Sequence, residues 1–158
     1  MANTQSMCTS FLGELMTATH NFGASPIRGA STADTFKAAL YLASATINAA
    51  TTAYTATGEV TGTNYTAGGV TVTNATAPLS SNTSTTAGTG YWTPSASIVY
   101  TTVTLSTAFD TVLIYNSTQS NKAVSVHTFG SQTVTAGTFT LTMPSNTTST
   151  ALIRLATT

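Results

Sequence analysis

FDTVLIYNSTQSNKAVSVHTF, residues 109 to 129, sets two apolar runs on either side of a polar connection. Val112, Leu113, Ile114 and Tyr115 are consecutive, the pattern of a strand buried on both faces. Val124 and Val126 alternate with Ser125 and His127, the pattern of a strand buried on one. Between the two runs, Asn116 to Lys122 supplies side chains that hydrogen-bond their own backbone and accept turn geometry. The reading is a central antiparallel hairpin.

Working outward, β periodicity continues on both sides. Ile98, Tyr100, Thr102 and Thr104 share one face and Val99, Thr101, Val103 and Leu105 the other. After Gly130, residues 132 to 136 read as a short strand and Gly137 as a turn. Phe139, Leu141 and Met143 then alternate with threonines until Pro144 stops the ladder, and a last strand runs from Ala151 to Leu155. Upstream, Thr35 to Ala43 places Phe36, Ala38, Leu40 and Leu42 on one core face, and Val70 and Val72 begin another strand. Residues 44 to 69 lack a clean period and read as loop, with a helical turn near Ile47 to Tyr54 as the alternative. Residues 78 to 89, PLSSNTSTTAGT, are a polar tract expected to form a loop or surface arm. Short strands broken by turn residues predict a mainly β chain: an antiparallel β-sandwich or jelly-roll-like barrel over 35 to 155, within a single domain spanning 1 to 158.

The N-terminal segment follows a different period. Met7 and Cys8, Phe11 and Leu12, and Leu15 and Met16 recur four residues apart, which lays them along one stripe of a short amphipathic helix over residues 5 to 19. The stripe predicts a docking element as much as a core element: the strands after Thr35 can close their own sandwich, with the helix packed across one end or against a neighbouring subunit. Gly23, Pro26 and Gly29 then mark an irregular connection.

Composition restricts the function classes. Only 5% of the residues are charged, against about 25% in ordinary soluble domains, and four Lys or Arg balance four Asp or Glu. Arg28, Lys37, Lys122 and Arg154 form no basic stripe, which argues against nucleic-acid binding. The start, MANTQSMCTSFLGELM, lacks a positive region followed by an apolar one, and no run is long enough to span a bilayer, so no membrane partner is expected. Threonine supplies roughly a quarter of the chain; its branched Cβ suits a pleated strand. Lys, Pro and inward charges, the usual protection of strand edges, are scarce, so the edges are expected to be covered by other subunits.

A search for catalytic groups finds little. Glu14, Asp34, Glu59 and Asp110 have no helical pairing and read as single exposed or capping acids. Cys8 lies in the apolar stripe, where a small buried cysteine outranks a nucleophile paired with His20 or His127. His20 falls at the helix end and His127 on the polar face of a strand; neither has metal-ligand spacing. Tyr91 and Trp92 suggest a sugar-stacking platform or, as for most aromatic pairs opening a strand, core or interface. No catalytic residue, cofactor or metal site is expected. The candidate subunit interface is Phe11, Leu12, Leu15, Met16, Tyr91 and Trp92.

The segments SFLGELMTATHNF, DTFKAALY, AYTATGEVTGTNYTAGG, VLIYNSTQSNKAV and the terminal ALIRLA resemble a family of small tailed-bacteriophage virion structural proteins. The resemblance covers nearly the whole chain except the tract around Ser80 to Thr89. It implies a structural role without an active site. Combined with the scarcity of charge and the uncovered edges, it leads to a capsid cement or decoration protein. Such a protein would be assembled in the host cytoplasm, sit on the capsid surface, and have the major capsid protein and copies of itself as partners. The alternative is a tail-fibre, baseplate or head-fibre module that binds host glycan through Tyr91 and Trp92.

Near-zero net charge removes colloidal repulsion, so the isolated protein is expected to self-associate near its pI of about 6.7. Light scattering checks this; a stable, concentrated monomer at that pH would count against it.

Overall fold

A computed structural model describes residues 3–16, 18–22, 33–74, 77–81 and 88–156. The elements run β1 (Ser6–Met7), α1 (Thr9–Met16), β2 (Phe36–Leu42), β3 (Val70–Thr71), β4 (Leu79–Ser80), β5 (Thr89–Trp92), β6 (Ile98–Asn116), β7 (Lys122–Leu141) and β8 (Ile153–Ala156). They form two antiparallel sheets, of order β1-β7-β6-β2-β3 and β4-β5-β8. The fold is mainly β with one short helix near the N-terminus, as expected, and among the described residues neither sheet closes into a barrel.

The hairpin read from residues 109 to 129 is the tip of a longer ribbon. β6 and β7 pair from Asn116↔Lys122 at the turn to Ile98↔Leu141 at the far end. Sequence patterning divided this ribbon into several short strands and read a turn at Gly137. Instead Gly137 pairs with Val103, and register shifts between residues 100 and 111 of β6 absorb the irregularities. Bulges bend a ladder without ending it, so breaks in periodicity there do not mark turns. At the tip, Asn116 Oδ1 accepts the amides of Thr118 (3.1 Å) and Gln119 (3.2 Å), while Ser120 and Asn121 take positive φ. Side-chain mimicry of a backbone turn is why the chain reverses here.

Three further expectations are revised. β2 is buried on both faces, because Ala39 is small and Tyr41 delivers its hydroxyl to Thr55 O at 2.6 Å. β7 is likewise buried on both faces over Ala123 to Val126. The helix is shorter than the stripe suggested: Ser6 and Met7 pair with Val126 and Ser125, so the chain is extended before it coils. Within the polar tract, Leu79–Ser80 pairs with Tyr91 and Gly90; residues 82–87 lie outside the described residues.

The irregular segment after β2 is held by a buried acid. Glu59 accepts hydrogen bonds from the hydroxyls of Tyr54 (2.6 Å) and Tyr65 (2.8 Å) and from the amide of Gly68 (2.7 Å). Tyr65 in turn accepts Leu40 N (3.0 Å), and Tyr115 donates to Gly68 O (2.8 Å), which fastens the loop across the sheet. Burial and the Glu59 carboxylate push Tyr54 up to about 12, and burial with the same neighbour raises Tyr65, so both hydroxyls remain donors. Gly69 is needed at this crossing: its φ is +71°, and a Cβ there would lie 1.7 Å from Ala38 O.

Glu59→Ala would leave two hydroxyls and one amide without their acceptor. Each hydrogen bond to a charged group contributes about 1.5–3 kcal/mol, so a loss of at least about 3 kcal/mol is expected. Urea unfolding checks it, with Glu59→Gln, which keeps one carbonyl acceptor, less affected.

Candidate interaction surface

α1 starts where Cys8 leaves the sheet. Cys8 N donates to Val124 O (3.0 Å), and Cys8 O accepts Phe11 N (3.1 Å), opening the first turn. The helix closes with Ala18 N to Leu15 O (3.1 Å), Thr19 N to Glu14 O (2.9 Å) and Ala18 at φ 54°. That is a left-handed cap of the kind glycine usually provides. The four-residue spacing puts Phe11 and Leu15 on one side of α1. Cys8 is wholly buried, and burial with the nearby Glu14 charge pushes its thiol up to about 11, which makes it a packing residue.

Polar groups fix the helix to the hairpin tip. Glu14 accepts Lys122 Nζ at 2.6 Å and bonds His20 Nε2 at 2.7 Å; His20 Nδ1 lies 3.0 Å from Asn116 Nδ2. Asn116 also donates to Asp34 (2.7 Å), which receives Gln119 (3.2 Å) and the amide of Asn21 (2.9 Å). Three of the four acids are thus internal hubs, which corrects their reading as single exposed or capping groups. Asp110, half-buried, accepts Asn3 (2.9 Å) and Thr111 (2.7 Å). Pairing across 96 and 108 residues has no local spacing to reveal it. For Glu14, burial alone would raise the pKa, but the hydrogen bonds and charges of Lys122 and His20 outweigh it and the pKa is lowered.

Beside this lock an aromatic run joins the helix to both sheets. Phe11 meets His20 (ring centroids 5.0 Å apart) and Phe22 (5.8 Å); Phe22 stacks on Phe36 of β2 (4.4 Å) and meets Trp92 of β5 edge-on (4.8 Å). Trp92 is 2% exposed and donates to Asn74 Oδ1 at 3.2 Å. Two of the six predicted interface residues, Phe11 and Trp92, therefore belong to the chain's own core. A glycan platform of Tyr91 with Trp92 is also excluded, because the indole faces inward. Through Phe11 the helix takes part in the core, the second of the two roles its stripe allows.

Above Phe11 and Trp92 lies a groove of about 140 Å³, walled by Leu15, Tyr91, Leu79 and Leu155. Leu79 and Leu155, on the two edge strands of the small sheet, are 48% and 41% exposed. Leu12, on α1, is 46% exposed, and the side chain of Met16 lies outside the described residues. Of the candidate interface residues, the structure brings Leu15 and Tyr91 to the walls of one groove, whose rim residues Leu79 and Leu155 were not among the candidates. Leu79 is the one large apolar side chain in its polar tract, a weak signal. Leu155 shows only as the residue two after Ile153.

A second, polar cleft of about 470 Å³ lies between β1, β7 and β8 and includes Ser125, His127 and Arg154. His127 Nε2 is 2.9 Å from Ser125 Oγ, because residues two apart share a strand face. Burial lowers His127 to about 4, so the imidazole is a weak base for activating a serine at neutral pH. Among the described residues no three metal-ligating side chains come together, and no helix is long and apolar enough to cross a membrane.

No protein-family model matches the chain, and neither a curated protein nor a solved structure does. The functional reading therefore rests on the residues themselves.

The lowered Glu14 pKa has a defined consequence. Its contribution to stability is complete above the ordinary value of 4.5 and is lost as the pH falls through the lowered folded value. Denaturant unfolding followed from neutral to acid pH is expected to show Glu14→Gln less stable than wild type at neutral pH and losing less stability below 4.5.

Proposed function

We propose that this protein is a bacteriophage virion structural subunit of the cement or decoration type, clamping neighbouring major capsid subunits from the capsid surface. The observation that carries the proposal is the apolar groove. Its rim leucines stand in solvent on edge strands, while the groove floor is welded to the core through Phe11 and Trp92. A rigid floor with exposed apolar walls suits docking with little ordering cost, since the side chains are already placed. The likeness of the sequence to small tailed-phage virion proteins supports the assignment, as does the near absence of charge, which favours packing among neighbours over life as a free, charge-solubilised domain. The role is structural rather than catalytic: the acids are occupied by internal donors and the Ser125–His127 pair lacks a competent base.

Fully burying a leucine contributes roughly 1.5–3 kcal/mol, so removing the two rim leucines should be severe. Leu79→Asp combined with Leu155→Asp is expected to keep the circular dichroism of the wild type and to lose most occupancy on particles stripped of the protein. Gel densitometry of intact virions is expected to find the wild-type protein in amounts comparable to the major capsid protein. Absence from the particle, or undiminished occupancy of the double variant, would overturn the proposal.

A further inference from the structure

The long ribbon carries a second surface, at the outer edge of β7. Its outer neighbour β1 is only Ser6–Met7, paired with Val126 and Ser125. Thr128 still reaches the N-terminal segment, its Oγ1 lying 3.4 Å from Gln5 Oε1. From Phe129 to Leu141, among the described residues, no other strand lies beside β7. The polar contacts made there stay within the ribbon: Gln132 Nε2 donates to Gly130 O (3.0 Å) and Ala136 N to Thr104 Oγ1 (2.9 Å). A strand edge of about 44 Å is thereby left free.

The composition of that edge is unusual for an exposed strand. Phe129 to Leu141 reads FGSQTVTAGTFTL, without a charged residue or proline, two of the devices that keep edges apart. Register shifts against β6 fall along this edge between Thr128 and Phe139, and Ala136 within it is left-handed, so the edge is bent while β7 stays continuous to Leu141.

We infer that two copies of this chain pair antiparallel through this edge, about a twofold axis near Thr135. The axis position follows from β1, which stops a partner strand near Thr128 and so makes Thr135 the midpoint of the free stretch. Pairing about that point sets Phe129 against Leu141 of the other copy. The chemistry selects a copy of itself. In this twofold contact Thr135 faces the Thr135 of the other copy and its neighbours pair Val134 with Ala136 and Thr133 with Gly137, so a charge at the axis would meet its like, whereas these uncharged side chains can approach. A chain with zero formal net charge adds no long-range repulsion. This inference names the surface for self-association and does not rest on the capsid reading, because it is tested on the purified protein alone.

The test places charge at the axis. Thr135 is exposed, so Thr135→Lys and Thr135→Glu are expected to keep the native circular dichroism. By sedimentation equilibrium the wild type is expected to be dimeric at about 100 µM, each charged variant to bind its own kind at least about tenfold more weakly, and an equimolar mixture to regain the dimer. A monomeric wild type, or charged variants that dimerise as well as it does, would overturn the inference. If the charged variants do not fold, Thr135→Cys decides. Cys8 is wholly buried, so a disulfide-linked dimer on mild oxidation reports the pairing alone, and the absence of cross-linking refutes it.

Discussion

The constraint on which this structure depends is that its four carboxylates all bind internal donors. Glu59 gathers two tyrosine hydroxyls and an amide, Glu14 holds Lys122 and His20, Asp34 takes Asn116, Gln119 and the amide of Asn21, and Asp110 takes Asn3 and Thr111. Glu14, Asp34 and Asp110 join segments far apart in sequence, Glu59 gathers the ends of one loop, and a partly desolvated anion with several donors is costly to disrupt from either side. Without Glu59 the loop from 54 to 69 would keep its backbone bonds to the sheet, such as Val60 N to Leu40 O, but lose the acceptor that gathers Tyr54, Tyr65 and Gly68. Without the lock around Glu14 and Asp34, α1 would be tied to the hairpin tip by packing alone.

That arrangement has a consequence for the surface. A chain with so few charges, and its acids turned inward, presents threonine, serine, asparagine and scattered leucines to its surroundings. Such a surface neither repels a copy of itself nor steers a charged ligand over distance. Two surfaces then stand out: the groove under Leu79 and Leu155, where apolar side chains stay exposed beside a fixed aromatic floor, and the outer edge of β7, where backbone groups line a strand without protective charges. One suits a partner's apolar side chains and the other suits a strand, so the two can be occupied together.

The helix illustrates how reading and structure diverge. Its doublet stripe is genuine, and Phe11 and Leu15 do share one side. Yet the first doublet, Met7 and Cys8, belongs to the extended chain entering the helix, where strand pairing to β7 prevails over helical propensity. The same stripe predicted an interface, and the core took Phe11 because Phe22, Phe36 and Trp92 converge on it from elements that no local period connects to residue 11.

What the sequence by itself determined are the properties that repeat over short distances: strand alternation, the consecutive apolar run at Val112 to Tyr115, the Asx-type reversal at Asn116, the helical spacing near the N-terminus, and the shortage of charge. These are set by backbone geometry and by neighbours within a few residues. Only the tertiary structure decided how far the β6–β7 ribbon extends through its bulges, which faces of β2 and β7 are buried, and which donors each acid receives. It alone brought Leu79 and Leu155 to the rim of one groove and left the edge beyond Thr128 without a strand. Most of those outcomes depend on contacts between segments tens of residues apart, and a burial or hydrogen bond of that range leaves no period in the chain to be read.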